Sequence, residues 1–160
     1  MKRKDKILAY TFSILAVALS VFIIIQSCLD GGESTGQSSW VVELCKNVIN
    51  FVIKDAINES NIGTFTTVIR KLVGHFSLFL VDGVFVYLSL YYWLKEKKDM
   101  ITLLLFTLIF GLLLASLSEF IQSFVPGRSG ELLDVLIDYG GYLLGTGITY
   151  LIIYLIKKKA

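Results

Sequence analysis

The sequence predicts an all-α, polytopic membrane protein with four transmembrane helices and one extracytoplasmic amphipathic helix. Hydrophobic residues make up 55% of the 160 residues and the mean hydropathy is +0.72, which is too apolar for a water-soluble domain. Charged residues make up only 18% and leave long stretches of the chain uncharged. The length fits one domain over residues 1–160, and the net charge of +2 gives no indication of nucleic-acid binding.

Four segments are long and apolar enough to be transmembrane helices. A helix needs about 20 predominantly apolar residues to cross the hydrocarbon core of a bilayer. The segments that come close to this length are residues 7–25, 76–94, 100–117 and 135–156. The first and third contain no charged residue, the second contains only Asp82, and the fourth contains only Asp138. The strict alternation of a transmembrane barrel strand is missing from them, so helices are expected.

The positions of Lys and Arg predict how the helices are oriented. Ten of the 15 Lys and Arg residues lie before the first span, between the second and third, or after the fourth. In a four-span topology these positions share one side, which the positive-inside rule makes the cytoplasm. An aromatic cluster at residues 91–93 precedes the middle group, as expected at a membrane interface. Both termini are therefore predicted to be cytoplasmic.

The segment between the first two spans, residues 26–74, is predicted to face outward. Its Gly- and Ser-rich part, residues 26–39, is typical of a loop. Residues 40–57 have apolar side chains at helical spacing and are predicted to form an amphipathic helix on the outer membrane surface. The positions expected to be buried are Val41, Val48 and Val52. A disulfide between Cys28 and Cys45 and a pair of free thiols are both compatible with this placement.

Ionisable and amide side chains gather at the outward ends of spans two, three and four. On an α-helix, residues three or four apart lie on one face, and this spacing recurs in each of the three spans. The turn between spans three and four adds Arg128, close to Pro126, the single proline of the chain. An ion pair of Arg128 with Glu119 or Asp134 is expected, because an unpaired guanidinium at a membrane boundary would leave its donors unused. Ionisable residues inside a membrane are costly and usually mark a functional site. The candidate site residues are Lys71, His75, Asp82, Glu119, Gln122, Arg128, Asp134 and Asp138.

The chemistry of these residues leaves several roles open. The candidate catalytic residues are His75, Glu119 and Asp134, because a histidine pKa suits general acid–base chemistry near neutral pH. The candidate ligand-binding residues are Lys71, Gln122, Arg128, Asp138 and Asp82. Asp82 and Asp138 are equally compatible with polar contacts between helices.

The sequence contains no recognisable catalytic or cofactor-binding motif. Gly-x-Ser-x-Gly, His-Glu-x-x-His and phosphate-cradling glycine loops are all missing. One histidine cannot build a histidine-rich zinc site, and a set of His75, Glu119 and Asp134 is only a weak indication of a metal. No metal or cofactor is therefore predicted, and whether the protein is an enzyme stays open.

At these residues the sequence resembles the VanZ-like membrane proteins. The stretches that carry the resemblance are "RKLVGHF" at residues 70–76, "EFIQSFVPGRSG" at 119–130 and "DVLIDYGGYLLG" at 134–145. Several separated motifs occur in order, and the resemblance covers nearly the whole chain. The resemblance implies a multi-pass protein of the bacterial cytoplasmic membrane. It also implies an association with low-level resistance to teicoplanin and related lipoglycopeptides.

Three functional hypotheses follow from these observations. The leading one is an outward-facing polar pocket that binds an anionic or amphiphilic envelope ligand. The expected ligands are a membrane lipid, a lipid-linked cell-wall intermediate, or the lipid-tailed antibiotic itself. The second hypothesis is a membrane enzyme that acts on such a lipid with His75 as general base. The third is a structural scaffold in a membrane complex, in which the polar residues hold the helices together.

Overall fold

Helices account for almost all of the computed structural model, which describes residues 1–159 without the side chains of residues 31–35, 37 and 38. In chain order they are α1 (Arg3–Cys28), α2 (Gly31–Val52), α3 (Ile62–Ile69), a π-helical segment (Arg70–Phe76), α4 (Ser77–Leu94), α5 (Met100–Gln122) and α6 (Leu132–Lys159). The described residues contain no strand. The all-α prediction is therefore confirmed.

Four continuous helical stretches are long and apolar enough to cross a membrane. They are Arg3–Cys28, Ile62–Leu94, Met100–Gln122 and Leu132–Lys159. The second of these combines α3, the π-helical segment and α4. All four extend beyond the apolar segments recognised in the sequence, because helical geometry continues into the flanking polar residues. The prediction of four membrane-spanning helices is confirmed by these lengths and compositions.

The four long helices form a bundle in which α4 and α6 pack most closely. A side chain at Gly145 would collide with the backbone carbonyl of Leu80. At Gly83, an added Cβ would lie 2.6 Å from the backbone oxygen of Tyr142 and 2.8 Å from Thr146 Oγ1. Small residues at these positions let the two backbones approach, as is common between transmembrane helices. Helix α1 packs along the opposite side of α4 and also contacts α5.

Apolar side chains fill the bundle in two layers. One layer contains Phe79, Leu114 and Tyr142, and the other contains Tyr87 and Leu103. Most other large apolar side chains of the bundle point outward, as expected where lipid replaces water as the solvent.

The bundle has two unlike ends. We call the end formed by residues 67–78 and 118–138 the polar end, and the other, which carries both termini, the lysine-rich end.

Helix α2 differs from the sequence prediction at both of its ends. The predicted loop at residues 26–39 is wrong except at residues 29 and 30, because α1 extends to Cys28 and α2 already begins at Gly31. Gly and Ser lower helix stability by at most about 1 kcal/mol per residue, so a helix can extend through them from the apolar segment that follows. At its other end the helix stops at Val52 rather than at residue 57. Cys28 and Cys45 are both free.

The predicted burial on α2 is also wrong in part. Val42 is buried, whereas Val48 and Val52 are 57% and 75% exposed within the chain. The apolar stripe therefore does not pack against the bundle along its whole length. Contacts of α2 with α3 and with the π-helical segment hold it at the polar end. The exposed valines leave an apolar face suited to the interfacial region of a membrane.

Candidate functional site

Three helical elements and one turn bring polar side chains together at the polar end of the bundle. The π-helical segment supplies Lys71 and His75, and it packs mainly against α6. Its wider winding shows in the backbone N–H of Ser77, which donates to the carbonyl of Leu72 five residues earlier. Such π-helical turns are rare and are frequent at functional sites. The end of α5 supplies Glu119 and the start of α6 supplies the two aspartates.

His75 is held by a buried carboxylate on α6. Its Nδ1 lies 3.1 Å from Oδ1 of Asp138 and 3.8 Å from Oε1 of Glu119. Asp138 is fully buried, and its second oxygen, Oδ2, has no hydrogen-bond partner among the described residues. A carboxylate on Nδ1 orients the imidazole ring and leaves Nε2 for another partner. The structure therefore makes Asp138 a positioning residue for His75.

Glu119 is buried near the end of α5 and accepts hydrogen bonds from two neighbouring parts of the site. Its Oε1 accepts a hydrogen bond of 2.7 Å from Nε2 of Gln122, and its Oε2 accepts one of 3.2 Å from the backbone N–H of Glu131. The side chain is only 3% exposed. These contacts fix the orientation of the Gln122 amide and tie the turn to α5.

Lys71 is paired with two carboxylates, one in the first turn of α6 and one on the residue that precedes this helix. Its ammonium group contacts Asp134 Oδ1 and lies 3.3 Å from Glu131 Oε2. A buried charge is tolerated only when it is paired, and Lys71 supplies that pairing for Asp134. The positive charge of Lys71 is therefore largely balanced within the protein.

Arg128 is placed differently from the sequence expectation. An ion pair with Glu119 or Asp134 was expected, and this is wrong: the described residues show no such pair. Instead, Nη2 donates to Oε1 of Gln122 at 2.5 Å, and Nη1 donates to the backbone carbonyl of Gln26 at 3.0 Å. Burial lowers the pKa of the Arg128 guanidinium from its ordinary value, but Arg stays charged at neutral pH.

The turn that carries Arg128 depends on a glycine. Gly127 has a φ of 71°, a left-handed conformation that residues with a side chain rarely adopt. The backbone N–H of Arg128 then closes the turn onto the carbonyl of Val125 at 3.2 Å. This geometry follows the Pro-Gly dipeptide that the sequence shows at residues 126–127.

Asp82 is the one candidate residue that the structure does not bring to the site. An α-helical spacing would place it on the face of Lys71 and His75. Lys71 and His75 lie within the π-helical segment, whose wider winding departs from that spacing, and Asp82 on α4 faces α1 instead. There its two oxygens accept hydrogen bonds of 3.1 and 3.2 Å from Ser20. Asp82 therefore joins two helices within the bundle.

One set of candidate residues has the spacing of a cation site. Ligand atoms of His75, Glu119 and Asp134 lie within 4.8 Å of one another. Both oxygens of Glu119 and one of Asp134 already accept hydrogen bonds from protein donors. A metal would have to displace Lys71 and Gln122, so the existing contacts favour a protein-satisfied cluster over a metal centre.

Two cavities meet at this cluster. A polar cavity of about 230 Å³ is lined by Lys71, Glu131 and Asp134, among others. A larger groove of about 400 Å³ runs between α1, α2 and the second span, with mostly apolar walls. The residues that line both are Arg70, His75, Gln122 and Arg128. One continuous surface therefore changes from charged to apolar at these four side chains.

The sequence did not indicate two parts of this arrangement. Helix α1 contributes the carbonyl of Gln26 and the buried Ser27, whose hydroxyl lies 2.8 Å from that of Ser118. Small polar residues at the end of an apolar run were the available signal. Trp40 on α2 lines the groove rather than serving only as a surface anchor.

One of three comparisons with known proteins identifies a family for the chain. Neither the curated proteins nor the solved structures gave a match to the chain. The model of one protein family, VanZ/LLP1, matches residues 12–154. This range contains every candidate site residue, the second and third long helical stretches in full, and most of the first and fourth. Because this match covers far more than half of the chain, the protein belongs to the VanZ/LLP1 family.

Proposed function

We propose that this protein binds the anionic head group of an amphiphilic envelope molecule in the polar cavity. The observation that carries the proposal is the state of Arg128. Its guanidinium lines both cavities and forms no ion pair with a carboxylate of the described residues. Two of its five N–H groups are used, by an amide and by a backbone carbonyl, and a phosphate or carboxylate is a suitable partner for the others.

The neighbouring groups suit an anion that also carries hydroxyl or amine groups. His75 and Gln122 reach the same cavity wall, with hydrogen-bonding atoms held in place by Asp138 and Glu119. Glu131 is half exposed at the rim, where it can accept from a hydroxyl or an amine. Candidate ligands are a phospholipid, a lipid-linked cell-wall intermediate and a lipid-tailed antibiotic. Binding of the last would account for the low-level lipoglycopeptide resistance that the sequence resemblance implies.

The proposal includes an orientation in the bacterial cytoplasmic membrane. With the lysine-rich end in the cytoplasm, the polar cavity opens to the outer side, where envelope intermediates and antibiotics are found. The positive-inside distribution of Lys and Arg supports this orientation. Helix α2 would then lie at the outer interface, with its exposed valines toward lipid.

Binding of dodecyl phosphate to the purified protein in neutral phosphatidylcholine nanodiscs tests the proposal. Replacing Arg128→Gln removes the charge, and Arg128→Lys keeps the charge but not the planar fork. A charge-assisted hydrogen bond contributes about 1.5–3 kcal/mol, so the Gln variant should raise Kd by about tenfold to a hundredfold. The Lys variant should fall between it and the parent.

The matched control is Lys54→Gln, which removes one positive charge from an exposed position that lines neither cavity. It should leave Kd unchanged. If Lys54→Gln and Arg128→Gln weaken binding equally, the effect is one of general surface charge and the proposed site is wrong. If Arg128→Gln leaves Kd unchanged, the head-group proposal fails directly.

A second candidate function is supported by the Asp138–His75 pair. The 3.1 Å contact to Nδ1 orients the ring so that Nε2 can accept a proton from water or from a hydroxyl group of a bound lipid. Arg128 is close enough to stabilise negative charge that develops on a phosphate or an ester oxygen. His75→Gln separates the two functions: an enzyme loses product formation from a lipid extract, measured by mass spectrometry, while dodecyl phosphate binding persists.

A further inference from the structure

The groove beside the polar cavity has the form of a site for a hydrocarbon chain. Its volume of about 400 Å³ is at the lower end of the roughly 300–1,000 Å³ found for ligand cavities. Phe22 and Ile23 of α1 form one wall, and Leu78 and Phe79 of α4 form the other. These apolar side chains can give a bound hydrocarbon chain the same kind of contacts that lipid tails give it in a bilayer.

The groove is open between α1 and the second span. Helix α1 packs along α4 and α5, whereas the π-helical segment packs on α6, so the two helices diverge at the polar end. The side chains along the opening remain exposed, with Phe22 at 43%, Val73 at 39% and Trp40 at 66%. In a membrane this opening faces lipid, which gives a chain a path into the groove without crossing water.

Gly74 keeps the middle of the groove clear. It lines the cavity, and a Cβ added to it would have no neighbouring atom within 4 Å. Gly141 and Gly145 permit close backbone contacts between helices. Gly74 instead borders open space, so the missing side chain leaves room for a ligand.

We propose that the groove binds one hydrocarbon chain of the same amphiphile whose anionic head group lies in the polar cavity. The inference rests on the proposed function and narrows its ligand to lipid-tailed anions that enter from the membrane. The argument is continuity: Arg70, His75, Gln122 and Arg128 belong to the walls of both cavities. A soluble anion would fill only the polar cavity and leave the apolar groove, with its volume of about 400 Å³, empty.

Trp40 provides a reporter inside the groove. The chain contains two tryptophans, and Trp93 lies at the lysine-rich end, where its Nε1 donates to Ser13. In a Trp93→Phe background, Trp40 is the single emitter. The protein is placed in nanodiscs of unlabelled phosphatidylcholine with a trace of phosphatidic acid brominated on its acyl chains. Bromine quenches tryptophan on contact, so occupancy of the groove should lower Trp40 emission more than the same trace of brominated phosphatidylcholine does.

Filling the groove separates the chain site from the head-group site. Gly74→Leu should abolish the excess quenching, because the new side chain takes the space of the hydrocarbon chain. Gly147→Leu is the matched control, since Gly147 also has no atom within 4 Å of an added Cβ but lines neither cavity. Trp40 emission in the Gly147→Leu variant should be quenched to the same extent as in the parent. Circular dichroism and monodisperse elution establish that both variants fold, and Phe22→Ala, which enlarges the groove, should retain the excess quenching.

The outcomes distinguish the two proposals. Loss of excess quenching in Gly74→Leu, with dodecyl phosphate binding weakened more than binding of inorganic phosphate, supports the chain site. The head-group site stands and the chain site is wrong under another result: the Gly74→Leu variant shows the same excess quenching of Trp40 as the parent, and the Arg128→Gln variant shows none. If phosphatidic acid quenches no more than phosphatidylcholine in the parent, the chain inference is overturned whatever the head-group result. If Arg128→Gln leaves dodecyl phosphate binding unchanged, the proposed function itself fails.

Discussion

Replacing Gly141 with alanine should loosen the contact that places α6 against the π-helical segment. A Cβ at residue 141 would lie 3.0 Å from the carbonyl carbon and 3.2 Å from Cα of Phe76, and nearer still to its carbonyl oxygen. Backbone atoms cannot rotate away as a flexible side chain can, so the two helices must separate. His75 directly precedes Phe76, and its 3.1 Å contact with Asp138 spans the same interface.

The size of the effect follows from two opposing terms. Overpacking a close contact costs about 1–3 kcal/mol, and alanine gains about 0.5–1 kcal/mol over glycine inside a helix. Gly141→Ala should therefore lower the free energy of unfolding by up to about 2.5 kcal/mol. The neighbouring Gly140 is the matched control, because its added Cβ would meet only a ring carbon of Phe76, at 4.0 Å. Gly140→Ala keeps the helix gain without the clash and should unfold with a slightly larger free energy.

Reversible unfolding in detergent micelles by titration with sodium dodecyl sulfate, followed by far-ultraviolet circular dichroism, measures both variants under the same conditions. Dodecyl phosphate binding is measured in parallel in nanodiscs. Gly141→Ala should bind more weakly than Gly140→Ala, because displacement of α6 from the π-helical segment changes the shape of the polar cavity that both elements line. Equal unfolding free energies for the two alanine variants would refute the close-packing argument. Equal binding despite unequal stability would show that the interface does not position the site.

The remaining predictions concern orientation and chemistry. In a variant whose native cysteines are replaced by serine, an impermeant thiol reagent added to intact cells should label a cysteine at Gly36 or Ser129 but not one at Lys97; labelling at Lys97 alone would reverse the proposed orientation. If the protein is an enzyme, Asp138→Asn should lower turnover of its lipid about a hundredfold or more while dodecyl phosphate binding persists, because general acid–base assistance contributes about 10²–10⁴ in rate. Unchanged turnover would show that Asp138 does not act through His75.

The spans and the proximity of several candidate residues could be predicted from sequence because both depend on local properties. A run of apolar residues is long enough to cross a bilayer wherever it lies in a fold. Polar residues at the ends of those runs share a depth that follows from topology alone. The proximity of His75, Glu119 and Asp134 is an example, since each follows from its distance to a span end.

The partners of individual side chains could not be predicted, because they depend on helix rotation and on loops. The sequence does not show that Arg128 reaches Gln122 and the carbonyl of Gln26, because α1 is about 100 residues away along the chain. The placement of Asp82 was wrong for a local reason: an α-helical period was assumed across a π-helical turn. The start of α2 was wrong because Gly and Ser disfavour a helix without forbidding it.

The π-helical segment lets the two parts of one membrane span project their side chains in directions that an uninterrupted α-helix would not combine. In an α-helix each residue advances by about 100° around the axis, so the directions of all side chains are fixed by their numbers. A wider turn changes that phase, and the residues before it can face a different neighbour from the residues after it. In this protein Lys71 and His75 meet α6, and Asp82, farther along the same span, meets α1. A chain shortened by one residue within Arg70–Phe76 would still be long and apolar enough to span a membrane, yet the ammonium and imidazole groups would turn away from their carboxylates.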